Sequence, residues 1–248
     1  MVETIHRKTF NVRNIDIDGS GLIHPISFID YILEAAGEHA GLGGLAVTDL
    51  FRKGLTWVLS RFHIEFRRYP VWGRDVVIET WPSGRQPLYA VRDYVITDAD
   101  GPLALATSSW LIVDLKTRRP ARTAEHLEGF PLLEKRALDD DFAALPALGR
   151  EDGRKEFPVF FSDIDLNRHV TASVYMHRAM ETVPDEILFH RRPASLEVNF
   201  RGEAFYGDRL LSRIEQLEGG EPVRFLHRLS RAADDKELTL LRTSWSEL

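Results

Sequence analysis

The chain has 248 residues, 44% of them hydrophobic and 28% charged, with a formal net charge of −6 and no cysteine. This allows one large domain or two modest ones around a sizeable core; the negative balance argues against general nucleic-acid affinity, and the missing thiol excludes disulfides, thiolate metal sites and a cysteine nucleophile. No apolar run is long enough to span a membrane and the residues from Met1 to Lys8 lack the apolar stretch of a secretory signal, so a cytoplasmic protein is expected.

The first helix is expected from His24-Pro25. Proline suits a first helical turn, and Phe28, Ile29, Ile32, Leu33 and Ala36 follow at spacings of 1, 3, 1 and 3. Gly41-Leu42-Gly43-Gly44 ends it; because it follows a helix, it is not read as a phosphate loop. Phe62, Ile64 and Phe66 alternate with Arg61, His63, Glu65 and Arg67, the pattern of a half-buried strand. Tyr69 to Gly73 reads as a turn and Val76 to Trp81 as the next strand. Tyr89 to Thr97 and Leu103 to Leu115 flank the hairpin turn Asp98-Ala99-Asp100-Gly101-Pro102.

Residues 116 to 155 turn acidic and rich in alanine and proline, and mark the best domain boundary. The reading is a unit over 1–120, a connector over 121–153 with some helix or coil of its own, and a unit over 154–248. After the connector the pattern restarts. Phe157 to Phe161 is strand-like, and Ala172, Met176, Ala179, Met180 and Val183 form a helical stripe closed by Pro184. Leu196 to Phe200, Arg209 to Leu217, Val223 to Ser230 and Leu238 to Trp245 read as strands.

The restart can be aligned. Ile64-Glu65-Phe66-Arg67 with Gly73 matches Val198-Asn199-Phe200-Arg201 with Gly207 at an offset of 134. Ser108-Ser109-Trp110 resembles Thr243-Ser244-Trp245, and Asp16-Ile17-Asp18 resembles Asp163-Ile164-Asp165. Three matches in one order argue for two copies of a unit, each a long helix followed by a meander of antiparallel strands. The expected fold is α+β, with the two sheets side by side.

The chemistry concentrates in Asp163-Ile164-Asp165-Leu166-Asn167-Arg168-His169, between an apolar run and a helix start. In an extended stretch Asp165, Asn167 and His169 would share one face, offering acid, amide and imidazole together. Glu203, at the end of the strand that follows, falls on Tyr69 of the first copy. That copy has Asp16, Asp18 and a nearby His24, but Ser20 where an asparagine would be needed. The candidate set is therefore Asp165, Asn167, His169 and Glu203, in the second copy alone. Each has a plainer role: Asp and Asn before a helix are common caps, and Glu203 could be a solvated turn charge. Small neighbours of Glu203 could leave room for a ligand backbone. Asp163 reads as structural. The nine histidines form no metal signature.

Thr56-Trp57-Val58-Leu59, Arg68-Tyr69-Pro70-Val71-Trp72-Gly73, Glu79-Thr80-Trp81, Ala106 to Trp110, Lys116 to Arg119, Ser162 to Val170 and Glu197 to Asp208 together resemble the acyl-acyl carrier protein thioesterases of plants and bacteria. The resemblance runs from about Phe10 to Trp245. It implies a double hotdog fold, two helices each wrapped by an antiparallel sheet. It also implies hydrolysis of fatty acyl-carrier-protein thioesters, with Asp165, Asn167, His169 and Glu203 as the catalytic set. Many plant members carry a cysteine directly after the glutamate; here that residue is Ala204, which favours a water mechanism.

On that reading Glu203, assisted by His169, activates water; Asn167 and helix N-terminal N–H groups stabilise the oxyanion; Asp165 orients Asn167 or His169. No metal or organic cofactor is required. The resemblance implies that the first copy shapes the acyl pocket, which makes Trp57, Phe62, Ile64 and Phe66 candidate walls, with ordinary core packing as the alternative. The partner, acyl carrier protein, is acidic, so a net-negative chain needs a local basic patch; Arg67, Arg68, Arg191, Arg192 and Arg201 are candidates, or else solvated faces. A monomer and a homodimer are both compatible with a duplicated chain. An acyl-CoA thioesterase, a hydratase or dehydratase, and a non-catalytic acyl-binding protein remain alternatives.

Overall fold

A computed structural model describes residues 2–247. The chain divides into two compact units, Met1–Phe142 and Ala143–Leu248. The first contains β1 (His6–Asn11), α1 (Pro25–Leu42), α2 (Val47–Arg52), β2 (Leu55–Phe66), β3 (Asp75–Arg85), β4 (Tyr89–Asp98), β5 (Gly101–Asp114) and α3 (Thr123–His126). Its strands lie in the order β1-β3-β4-β5-β2, each antiparallel to its neighbour.

Helix α1 starts at Pro25 and ends where Gly44 takes a φ of 70°. There the Leu45 N–H turns back onto the Ala40 carbonyl at 3.0 Å, an end that glycine permits without steric penalty. Its buried face carries Phe28, Ile29, Ile32, Ala35 and Ala36. Phe28 packs on Phe66 of β2 with ring centroids 6.0 Å apart. Each fully buried Phe or Ile of that face contributes about 1.5–3 kcal/mol. Strand β1 was not legible in the sequence: its half-buried row is His6, Lys8 and Phe10, with two polar members out of three. Charge of that kind suits the sheet edge it occupies.

Residues 133–140, expected in the connector, pack on the sheet of the first unit. The Trp81 indole N–H donates to the Lys135 carbonyl at 2.8 Å, and the Leu133 N–H to the Pro82 carbonyl at 3.0 Å. Asp93 is fully buried beneath them. Its carboxylate accepts from the Ser83 hydroxyl, from Arg136 Nε at 3.0 Å and from the Ala137 N–H at 2.8 Å. Successive strand residues face opposite ways; Arg92 meets His39 of α1, so Asp93 lies on the face away from that helix.

The second unit contains β6 (Gly153–Pro158), α4 (Ala172–Met180), α5 (Asp185–His190), β7 (Arg191–Phe200), β8 (Arg209–Gln216), β9 (Val223–Arg231) and β10 (Glu237–Glu247). Its order is β7-β10-β9-β8-β6, again antiparallel throughout. This is the order of the first unit with β2, β5, β4, β3 and β1 replaced by their counterparts. Buried polar groups repeat too. In the first unit the Tyr94 hydroxyl and Trp110 indole N–H meet the Ser108 hydroxyl at 3.0 and 2.7 Å. In the second, His227 Nε2 and the Trp245 indole N–H meet the Thr243 hydroxyl at 2.8 and 2.9 Å.

Two expectations need correction. The strand expected over Phe157 to Phe161 instead lies earlier and stops at Pro158, and Phe161–Asp163 is a 3-10 turn. The Asp163 carboxylate takes the Phe160 N–H at 2.8 Å and bends the chain there. The second unit's helix is also not long. It spans nine residues, against eighteen for α1. Pro184 disfavours helical backbone at Val183, and Thr182 turns its hydroxyl to the Arg178 carbonyl at 3.0 Å and to Ser212 at 2.7 Å.

Burial pulls the His227 imidazole down from 6.5 to about 3. Burial, then the Arg92 charge, pulls His39 down to about 4. Both are neutral when folded at neutral pH, and both would bind a proton on unfolding below about 6.5. Their contribution is therefore full above pH 6.5 and lost as pH falls towards 4 and 3. Urea midpoints taken from pH 7 down to 4 should fall, and His227→Gln should make that fall shallower. Separately, Asp93→Ala should destabilise the fold by about 3 kcal/mol by leaving Arg136 and the Ala137 N–H without their acceptor, with proteolysis between 130 and 142 as the local readout.

Candidate active site

The segment Asp165 to His169 is not extended; the shared face expected from strand alternation is replaced by a closed turn. Ile164 and Val170 pair across its neck. Inside, the Asp165 N–H donates to the His169 carbonyl and the Arg168 N–H to the Asp165 carbonyl, both at 2.9 Å. The Asp165 carboxylate fills the turn. One oxygen accepts from the Asn167 amide at 3.1 Å, the other from the His169 N–H at 3.1 Å. Short acceptor side chains that bond the backbone a few residues on are what such a turn requires. Asp165 therefore orients both the amide and the residue that carries the imidazole. Asp163 is buried, as a structural residue should be; its carbonyl accepts the N–H and hydroxyl of Thr171, both at 2.9 Å, at the start of α4.

Glu203 follows the end of β7. The Arg201 and Gly202 N–H groups both reach the Leu238 carbonyl, at 2.8 and 3.0 Å. A Cβ on Gly202 would lie 3.1 Å from the Glu237 carbonyl. That glycine admits the neighbouring β10, so the expectation that small residues here make room for a ligand gives way to packing. Ala204 is fully buried. Its carbonyl accepts the Val170 N–H at 3.0 Å, and its N–H donates to the Tyr175 hydroxyl at 2.8 Å. These bonds bring the glutamate to the turn: Glu203 Oε1 lies 3.3 Å from His169 Nδ1. The imidazole is 15% exposed and the carboxylate 34%, so the acid is the more hydrated partner. Phe205 packs its ring edgewise on His169, with centroids 5.1 Å apart at 84°.

The first unit repeats the frame without the chemistry. The Asp18 N–H reaches the Leu22 carbonyl at 2.9 Å, Gly21 N–H the Asp18 carbonyl at 3.0 Å, and Ile23 N–H the Pro70 carbonyl at 3.0 Å. Ser20 puts its hydroxyl on the Asp18 carboxylate at 2.7 Å, in the manner of Asn167 on Asp165. Leu22 thus stands where His169 stands, and Tyr69 where Glu203 stands. His24, near in sequence, matches Thr171 instead.

Sequence reasoning missed two residues of this site. Tyr175 lies six positions after His169 on the buried stripe of α4 and was not singled out. Burial pushes its phenol well above the usual 10.0; the Ala204 N–H opposes this, and the carboxylates of Glu203, Asp208 and Asp165 add to it. Phe205, adjacent to Ala204, was the other. The structure places the four expected pocket residues on β2. Phe62, Ile64 and Phe66 are buried among core groups. Trp57 is half-buried, with its indole N–H on the Leu45 carbonyl at 2.9 Å and its ring edgewise to Trp110. Of the five arginines suggested as a basic patch, three already meet carboxylates: Arg68 with Asp98 at 2.6 Å, Arg191 with Glu221 at 2.5 Å and Arg201 with Glu237 at 2.7 Å. Arg67 is exposed and Arg192 half-buried. Among the described residues no cluster of His, Asp or Glu is arranged to hold a metal ion, and no helix is long and apolar enough to cross a membrane.

Two copies of one α+β unit, with an acid, amide and imidazole in one of them, define a tandem hotdog protein. The models of the acyl-ACP thioesterase N-terminal and C-terminal domains match residues 3–128 and 148–247. The chain belongs to the acyl-ACP thioesterase family. It is 27% identical over 260 residues to a palmitoyl-acyl carrier protein thioesterase of Cuphea hookeriana, covering 97% of this chain and 62% of that protein. It is 27% identical over 231 residues to an oleoyl-acyl carrier protein thioesterase of Coriandrum sativum, covering 82% and 60%. The chain thus spans about three fifths of the length of these curated relatives. Among solved structures, the 12:0-ACP thioesterase of Umbellularia californica superposes with a TM-score of 0.89 at 23% identity, over 100% of this chain and 96% of that one. An acyl-ACP thioesterase of Bacteroides thetaiotaomicron gives 0.85 at 22% identity, over 98% of each. These likenesses establish the double hotdog fold.

Tyr175→Phe removes the acceptor of a buried N–H. It should cost about 1–3 kcal/mol of stability. A group whose pKa is raised by folding stabilises below its free value and loses that contribution as pH rises, so the wild type should weaken above pH 10 more steeply than this variant. Urea titrations at pH 7, 10 and 11 check both statements.

Proposed function

We propose that this chain hydrolyses the thioester of a fatty acyl group carried on acyl carrier protein, releasing the fatty acid and the carrier thiol. The observation that carries the reading is the 3.3 Å approach of Glu203 to His169 Nδ1, beside an asparagine amide held by Asp165. The family and its carrier-protein relatives support the substrate class.

The chemistry runs as a base-assisted addition. Glu203 holds the imidazole through Nδ1 and stabilises the charge it acquires, so Nε2 takes a proton from water as the water oxygen adds to the thioester carbonyl. The Asn167 amide, oriented by Asp165, donates to the oxyanion. The C–S bond then breaks, and the imidazolium returns its proton to the thiolate. No acyl-enzyme is needed. Ala204 offers no nucleophile, and its side chain lies in the interior rather than at the imidazole. Acyl carrier protein is the partner in this reading, met by a basic surface that includes Arg67; the cytoplasm is the proposed setting.

Thiol release from acyl-carrier-protein substrates of graded chain length tests this. Wild type should release thiol, and faster than from matched acyl-CoA. Glu203→Ala and His169→Ala should each lower kcat by about 10²–10⁴-fold, and Asn167→Ala by about 10²–10³-fold. Wild-type rates in both Glu203→Ala and His169→Ala would reject the site. Ala204→Cys should leave kcat within about twofold, because a buried side chain there adds no group to the reaction.

A further inference from the structure

Arg168 stands between Asn167 and His169 in the turn, in the left-handed region at φ 64°. Only glycine takes that conformation without steric penalty. The first unit makes the same turn with the same two hydrogen bonds, and there the residue is Gly21, at φ 79°. A Cβ added to Gly21 would meet nothing within 4 Å, so the turn itself has no need of a side chain. Arg168 is exposed, and among the described residues its guanidinium has no hydrogen-bond or ion-pair partner. A strained backbone position thus carries a long cation that does nothing for the fold, one residue from the imidazole.

The surroundings limit what that cation can meet. Asp165, Glu203 and Asp208 place three carboxylates around the site, which opposes an anionic ligand. Beside them the surface is apolar: Phe161, Leu166 and Tyr206 are 83%, 60% and 69% exposed, and Phe161 meets Tyr206 edge to face at 6.5 Å. A flexible, uncharged chain with amide carbonyls and methylenes fits one lone donor group and such a patch. An arginine has five N–H donors and no acceptor, and its reach of about 7 Å, that of two extended residues, covers the first atoms beyond a thioester sulfur.

We propose that Arg168 binds the thiol half of the substrate, its guanidinium donating to an amide carbonyl of the pantetheine arm while the neighbouring aromatic side chains take the arm's methylenes. This rests on the thioesterase reading above. Arg168 is then a binding residue that lowers KM and leaves the chemical step alone.

The test compares wild type, Arg168→Gly and Arg168→Lys on two esters of one acyl chain: hexanoyl-pantetheine, and the hexanoyl ester of ethanethiol, which has no amide. Arg168→Gly should raise KM for the pantetheine ester about tenfold, the loss of one charge-assisted hydrogen bond, with kcat within about twofold. KM for the ethanethiol ester should not change. Arg168→Lys should fall between wild type and glycine. The glycine variant should melt no lower than wild type, which separates lost binding from lost structure. An unchanged KM for the pantetheine ester, or an equal rise for both esters, would overturn the proposal while leaving the thioesterase reading intact. No thiol release by wild type from either ester or from the acyl-carrier-protein substrates would overturn both; release from the carrier-protein substrates alone would overturn only the assignment of Arg168 to the pantetheine arm.

Discussion

The site depends on one junction of backbone hydrogen bonds. Ala204 accepts from Val170 at 3.0 Å and donates to the Tyr175 hydroxyl at 2.8 Å. Through it the end of β7, the turn before α4 and α4 itself form one piece. Glu203 and His169 are 34 positions apart in the chain, and each is one residue from an atom of this junction. Both bonds are buried, where breaking either leaves a polar group without water to replace its partner. The pair proposed to be catalytic, carried on flexible side chains, is thereby given short tethers to a rigid frame.

The first unit keeps one bond of that junction and has no counterpart of the Glu203–His169 pair; Pro70 carries no N–H and cannot repeat the bond that Ala204 makes to Tyr175. Ile23 meets Pro70 as Val170 meets Ala204, while Leu22 and Tyr69 occupy the places of imidazole and carboxylate. Frame and chemistry are therefore separable in this fold: the turn, its Asp and the strand end persist because they close the loop before a helix. Divergence appears in the side chains that the frame displays. Tyr94 and His227 show the same freedom in the core, two different groups serving one buried hydroxyl.

The long strands and α1 were legible in the sequence because their apolar period is strong and their ends carry proline and glycine. The duplication was legible from short matches such as Ile64 to Gly73 against Val198 to Gly207. Strand β1 was not, since its inward row is mostly polar. The end of α4 was misplaced because Val183 fits the apolar stripe while the proline after it forbids the helix. The four candidate residues stood out by type and spacing, but the wrong local geometry was inferred. Alternation assumes an extended chain, and an aspartate that can take N–H groups from the following residues folds it into a turn. Tyr175 was invisible because its hydroxyl works from an ordinary core position.

The central claim is that Glu203 and His169 act as one unit on one water. A double-substitution cycle on kcat measures this directly, using Glu203→Ala, His169→Ala and the two together on an acyl-carrier-protein substrate. If they form one unit, the double variant should be about as slow as the slower single variant, as for residues of a catalytic triad. Rate losses that multiply in the double variant would show two independent contributions and contradict the account.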